Sequence, residues 1–236
     1  GRNPDENAEN NGSGFLSSLL STSIIKNSFK ELKNDNQYKV LSGHMPQNKN
    51  EVVLVVDKNG ETNLSVMYSL NIENKNDVSD FMTRSSNGEK IKLDDVIYDY
   101  DKIIGKSYKL INSVDYYRKS GNSWVSYEND NNYLNKLYDE AESLEIVGVV
   151  KVKDENSAHD FLGYSHELIE YYTGISNESE IVKQQISNKN INVFTGTSFD
   201  NVGESYDGNM KKLGSASMDE PNEIDFYSKT AESKEN

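Results

Sequence analysis

Of the residue types that carry chemistry, this chain of 236 residues holds three histidines, 39 acidic residues and no cysteine. Without a thiol there is no disulfide, no thiolate metal site and no cysteine nucleophile. His159-Asp160 and His166-Glu167 each set a carboxylate beside an imidazole. The two histidines stand seven positions apart, whereas two ligands on one face of a zinc-binding helix come at i and i+4. They read as surface or turn histidines, and His44, inside a Gly-x-x-Pro turn, reads as hydrogen-bonded locally. Asp94, Asp95, Asp99 and Asp101 cluster closely enough to raise calcium binding, as do Glu128, Asp130 and their Asn neighbours. Neither group has the Asp-x-Asp-x-Asp-Gly frame with a distal Glu that shapes an EF-hand loop, so both read as solvated faces. There is no Gly-x-Ser-x-Gly elbow, and Gly105-Lys106 lacks the spacing of a phosphate-binding loop. The expectation is a non-enzymatic protein with no catalytic, cofactor or metal site.

The remaining candidates are aromatic. Tyr116, Tyr117, Trp124 and Tyr127 lie on the two arms of a hairpin spanning Val114 to Tyr127, which turns at Ser120-Gly121-Asn122. Tyr and Trp are the usual anchors of protein interfaces, so these four are the candidate partner contacts. Aromatic packing across their own strands is the competing account. As partner contacts, Tyr117 and Trp124 would tolerate truncation to Ala with almost no change in melting temperature.

The elements that must position such a hairpin are organised around Val40-Leu41-Ser42-Gly43-His44-Met45-Pro46 and the strand that follows it. Gly43 admits positive φ and Pro46 lacks a donor, so neither a strand nor a helix continues through them. Val52 to Val56, four of the five β-branched, read as a strand buried on both faces. Lys106–Asn112 and Leu144–Val152 are the other two core strands, expected to be neighbours of Val52–Val56 in one sheet or to lie with it in two sheets packed face to face, and Gly148 inside the third signals a bulge or a close backbone approach. Lys58-Asn59-Gly60 is a tight turn, and Lys90 to Leu93 an edge strand.

Helical spacing is present in Ile24, Ile25, Phe29 and Leu32; in Leu64, Met67, Tyr68 and Leu70; after an Asp77 cap; and in Tyr133, Leu134, Leu137 and Tyr138. It recurs in Tyr164, Leu168, Tyr172 and Ile175, and again after an Asn177/Glu180 capping box. Asn192 to Thr195 and Ile224 to Tyr227 read as strands, and 201–222 as loop. Without a regular βαβ alternation, the fold class is α+β: a mixed, mainly antiparallel sheet with peripheral helices. Residues 1–22 read as a linker or lead-in, 23–200 as the folded domain, and 201–236 as a loop and returning segment.

A formal net charge of −14 argues against nucleic acid and anionic membrane surfaces as partners. No apolar run approaches the ~18 residues needed to span a bilayer. Leu41-x-Gly43-x-x-Pro46 followed by Glu51-Val52-Val53-Leu54, then Ile104-Gly105-Lys106 with Tyr108-Lys109-Leu110, then Leu144-Glu145-Ile146-Val147-Gly148-Val149-Val150, resembles in content and order the extracytoplasmic domain of MacB/FtsX-type ABC transporter permeases. Gly163-Tyr164 through Gln184, Asn192 through Phe199, and Ile224-Asp225-Phe226-Tyr227 resemble a large-ectodomain subgroup from Gram-positive bacteria. The resemblance implies a soluble part of a longer membrane protein on the extracellular face of the cell membrane. Its fold would be an enlarged version of the inserted, mainly β subdomain called Sabre, with Ile224 to Tyr227 starting the returning porter half. It also implies partners: a cytoplasmic ATPase, a second permease copy, and an accessory or membrane-fusion-type protein or a peptide substrate. The alternative is a stand-alone cell-surface ligand-binding or adhesin domain.

Overall fold

Val52, Val53, Leu54, Val55 and Val56 are all fully buried, and a strand can hide both faces only at the centre of a sheet. The computed structural model describes residues 29–70, 83–84, 86–92 and 100–215. It places these five in β3 (Glu51–Val56). Its sheet partners are β1 (Phe29–Glu31), β2 (Tyr38–Gly43), β6 (Ser107–Leu110), β9 (Glu142–Val152) and β10 (Phe161–Tyr164). The order is β1-β10-β3-β9-β2, with β6 pairing β9 off that path. Pairs β10–β3 and β2–β9 are antiparallel, while β1–β10 and β3–β9 are parallel. Of the two arrangements that β-branched and alternating apolar content allows for these three segments, the structure shows the single sheet, with β6 and β3 both pairing β9.

Smaller pairs complete the strands: β4 (Glu61–Asn63) with β5 (Lys90–Lys92), β7 (Tyr117–Ser120) with β8 (Ser123–Ser126), and β11 (Ile191–Asn192) with β12 (Thr197–Ser198). Five α-helices lie wholly among the described residues: α1 (Leu64–Ser69), α2 (Asn131–Glu140), α3 (His166–Glu178), α4 (Glu180–Ser187) and α5 (Tyr206–Lys212). The class is α+β. The chain forms two compact units. The described residues up to Tyr108 with Leu144–Ser165 make the first, and Lys109–Ser143 with the described residues from His166 onward make the second.

In the first unit, one sheet face packs Val53, Val55, Val147, Val150, Val152 and Phe161 together, with Leu32, Tyr38 and Met45 against them. Strand alternation turns Val52, Leu54 and Val56 to the other face. The register of β3 on β9 slips between Val52 and Val53, so Val147 is an extra residue and the strand bulges there. Gly148, one position on, stands opposite Gly43 in β2. A Cβ on Gly148 would overlap the carbonyl oxygen of His44, so the expected close backbone approach is present at this glycine. Asp57 closes the turn after β3. Burial works to raise its carboxyl, but hydrogen bonds from Glu61 N–H, from Lys90 and from Asn59 N–H outweigh that and hold it below its ordinary value.

The core of the second unit is Val114, Ile181, Val182, Val193, Met210 and Leu213. A buried amide cluster sets its loops. Gln185 donates through Nε2 to Ile191 O at 2.8 Å and to Asn188 O at 3.1 Å, and its Oε1 accepts from Val193 N and Asn209 Nδ2. Every polar atom of that fully buried amide is engaged, which removes the cost of burying it.

Several local expectations are corrected by these contacts. Phe29–Glu31 is a strand rather than helix, because its backbone pairs with Leu162–Tyr164. Tyr164 belongs to β10 and not to the following helix, which begins at His166 and runs past Gly174 to Glu178. The cap of α4 is Ser179, whose hydroxyl accepts from Val182 N, rather than Asn177. The strand near Asn192 stops there, and residues 193–196 turn back through Gly196, at φ +73°. The region expected to be loop contains α5, capped by Ser205 on Gly208 N. The linker, the helix after Asp77, the helical positions Ile24 and Ile25, the carboxylates Asp94, Asp95 and Asp99, and the strand at Ile224 to Tyr227 lie outside the described residues.

Candidate functional site

The hairpin forms with a shorter first arm than its aromatic content suggests. Asn112 accepts from Val114 N at 3.2 Å and closes a 3-10 turn over Ser113–Tyr116, so β7 starts only at Tyr117. Two central residues, Gly121 and Asn122, connect Ser120 to Ser123. Gly121 takes φ +61°, as a two-residue hairpin turn with glycine first requires.

Cross-strand register sorts the side chains into two faces. Tyr117 pairs with Ser126 and Lys119 with Trp124, and this face turns inward. Tyr117 and Trp124, half-buried, pack against the unit's core together with Phe194 and Tyr206. The Tyr117 and Phe194 rings lie 4.8 Å apart. Trp124 donates from its indole Nε1 to Gln184 Oε1 at 3.0 Å, and from its backbone N–H to Val193 O at 3.2 Å. Lys119 reaches Glu180 at 2.6 Å and lies 6.0 Å from the Trp124 ring centroid. Arg118 pairs with Val125 on the opposite, outward face. Tyr127 follows on the same side by parity, and its ring lies 5.2 Å from that of Tyr133 in α2.

The four aromatic candidates therefore divide. Tyr116 is buried and belongs to the interior of the unit. Tyr117 and Trp124 hold the hairpin to the core, and of the four only Tyr127 lies on the outward face. Replacing Trp124 by Ala is accordingly expected to cost about 2–3 kcal/mol, and Tyr117 by Ala a similar amount. Urea unfolding followed by circular dichroism measures it; midpoints unchanged from the parent chain would return both residues to the role of free partner contacts.

The outward face also carries Arg118, which the sequence places with Lys119 and the Gly121-Asn122 turn as keeping the hairpin tip wet. Arg118 sits with its Cζ 5.3 Å from the Tyr127 centroid and 5.6 Å from that of Tyr133. Period-two alternation from Tyr117 was the available signal for it. Tyr133 donates its hydroxyl to Asp115 O at 2.7 Å, and its backbone N–H is capped by Asp130 Oδ1 at 2.9 Å. Burial and the neighbouring Asp115 carboxylate raise the Tyr133 phenol above its ordinary value. Burial, then Glu140, raises the Asp115 carboxyl as well.

Elsewhere, the histidines are dispersed. His44 bonds Met45 O at 2.8 Å, and His166 lies 3.4 Å from Glu170. His159 bonds Asp160 Oδ2 at 2.8 Å. No group of three His, Asp or Glu side chains suited to a metal ion occurs among the described residues. Glu128 and Asp130 lie exposed, with Asp130 committed to its helix cap, and Asp101 lies exposed in a 3-10 turn. No described helix is long and apolar enough to cross a membrane. Comparison with known protein families, with curated proteins and with solved structures returns no match.

Proposed function

We propose that this chain is the non-catalytic extracellular domain of a MacB/FtsX-type ABC transporter permease, with its first unit as the Sabre-like element. What supports the reading is that the three resembling segments, far apart in sequence, converge on one strand. Gly43 of the first segment faces Gly148 of the third, and Glu51–Leu54 runs alongside Glu145–Val149. The middle segment joins the same strand through Gly105 N to Ile146 O and Ile146 N to Lys106 O, both 2.8 Å.

In this reading the domain sits on the extracellular face and engages a substrate or a partner. Motion driven by a cytoplasmic ATPase reaches it through the membrane part of the full protein, with a second permease copy alongside.

The absence of cysteine from these residues provides the test. Val202 is fully exposed, so Val202→Cys in the full-length protein offers a single thiol from this domain. A membrane-impermeant maleimide is expected to label it on intact cells as completely as after lysis, and cross-linked membranes should yield an ATPase subunit with it. Labelling only after lysis overturns the extracellular placement. Labelling on intact cells without an ATPase subunit points instead to a stand-alone surface module.

A further inference from the structure

The outward face of the hairpin holds a guanidinium in an unusual state for so acidic a chain. Two arginines fall among the described residues. Arg84 shows what happens when an acid is within reach, donating from Nε and Nη2 to the two oxygens of Glu89 at 2.9 and 2.7 Å. Arg118 has no carboxylate partner among the described residues, although the chain carries 39 acidic side chains. It lies over Tyr127 and Tyr133 instead. The guanidinium carries five N–H donors, and none of them has a hydrogen-bond acceptor among the described residues. The two rings are themselves tied down. Tyr133 is held through its hydroxyl to Asp115 O, and Tyr127 through its backbone N–H to Tyr116 O at 2.7 Å. Much of the ordering that a long side chain loses on binding has therefore been accomplished in advance.

We infer that Arg118, Tyr127, Tyr133 and Val125 form a recognition site for an acidic side chain of a partner polypeptide, a Glu or Asp with an apolar neighbour. The carboxylate takes the fork of Arg118 in the geometry that Glu89 shows on Arg84. The apolar neighbour covers Val125, which pairs with Arg118 across the hairpin and is 46% exposed. Arginine and tyrosine around an exposed apolar side chain is the composition of a protein contact rather than of a phosphate cradle, which would gather several cations or backbone N–H groups. The net charge of −14 repels acidic partners at a distance, but at physiological salt that field fades over about 8 Å. Only a ligand able to place its carboxylate on Arg118 gains the contact, so the surrounding acid sharpens selection. This site stands whether or not the permease reading does.

With three arginines in the whole chain, the Nε–Hε region of a 15N spectrum contains three signals, and Arg118→Lys identifies the relevant one. The probe is the peptide acetyl-Gly-Leu-Glu-Leu-Gly-amide, with its Gln counterpart and inorganic phosphate as separate titrations. A saturable shift of the Arg118 signal is expected with the Glu peptide, with binding about tenfold or more weaker for the Gln peptide and for Arg118→Lys. No saturable shift, equal binding of the Gln peptide, or unchanged binding by Arg118→Lys overturns the site. Phosphate saturating the signal at lower concentration than the Glu peptide overturns its assignment to a polypeptide. Should the lysine variant fail to fold, the Glu and Gln peptides on the parent chain decide the matter alone.

Discussion

Gly43→Ala is expected to abolish the cooperative unfolding of the first unit or to leave the chain insoluble. Gly43 sits at φ +70°, where a side chain costs about 1–2 kcal/mol by backbone sterics alone. The larger effect is spatial. A Cβ there would overlap the carbonyl oxygen of Val147 and come within 2.8 Å of Gly148 Cα. Both obstacles are backbone atoms of β9, the strand on which β3, β2 and β6 all pair, so no side-chain rotation relieves the clash. Separating β2 from β9 would also break the hydrogen bond from His44 N to Val147 O. A total of about 4 kcal/mol or more follows, a large part of the stability of a typical domain. Gly121→Ala is the control. It has a similar φ, +61°, but nothing within 4 Å of the added Cβ, and should cost only about 1 kcal/mol. Urea midpoints of the two variants compare them directly; equal midpoints would show that β9 yields to the intrusion and that the Gly43–Gly148 contact is dispensable.

Asp160→Ala should produce the second large loss, about 3–5 kcal/mol, in the same unit. Asp160 is the one described non-glycine residue with positive φ, at 65°. Four donors hold its carboxylate: Thr62 Oγ1 at 2.7 Å, Asn63 N and Asn63 Nδ2 at 3.0 Å, and the His159 ring at 2.8 Å. Its own N–H donates to Val55 O at 2.8 Å. These bonds pin the start of β10 to the end of β4, at the N-cap of α1. Alanine would keep the unfavourable backbone and strand the donors of Thr62, which is almost fully buried, and of Asn63. Asp160→Gly separates the two contributions. It removes the strain but not the lost bonds, and should recover about 1 kcal/mol relative to alanine. A midpoint for Asp160→Ala within about 1 kcal/mol of the parent would mean that these hydrogen bonds are replaced by water at little cost.

Both residues show how unevenly the chain could be read. Gly43 was legible because a glycine three residues before a proline, ahead of a β-branched run, has few uses besides a turn. Gly148 was legible as an interruption of an apolar strand. Asp160 was not, because an aspartate in a polar loop looks like any solvated acid until Thr62 and Asn63, nearly a hundred residues away, come to meet it. The hairpin divides in the same way. Its turn and arms were visible, and the alternation that sends Arg118 outward was present in the sequence. That Tyr117 and Trp124 face the core depended on Phe194 and Val193, which arrive from a loop whose conformation is set by Gln185 and Asn209.

By itself, then, the sequence determined the α+β class, the three core strands, the Gly43 turn, the hairpin, α1 and α2. Each of these follows from local periodicity or from backbone preferences, which act over a few residues. Only the tertiary structure decided that Phe29–Glu31 and Phe161–Tyr164 are strands, that α5 exists within a polar stretch, and which hairpin face is exposed. Those outcomes rest on partners distant in the chain, whose pairing and burial override weak local propensity. A three-residue segment such as Phe29–Glu31 has too few positions to declare a period, and becomes a strand because β10 offers it an edge.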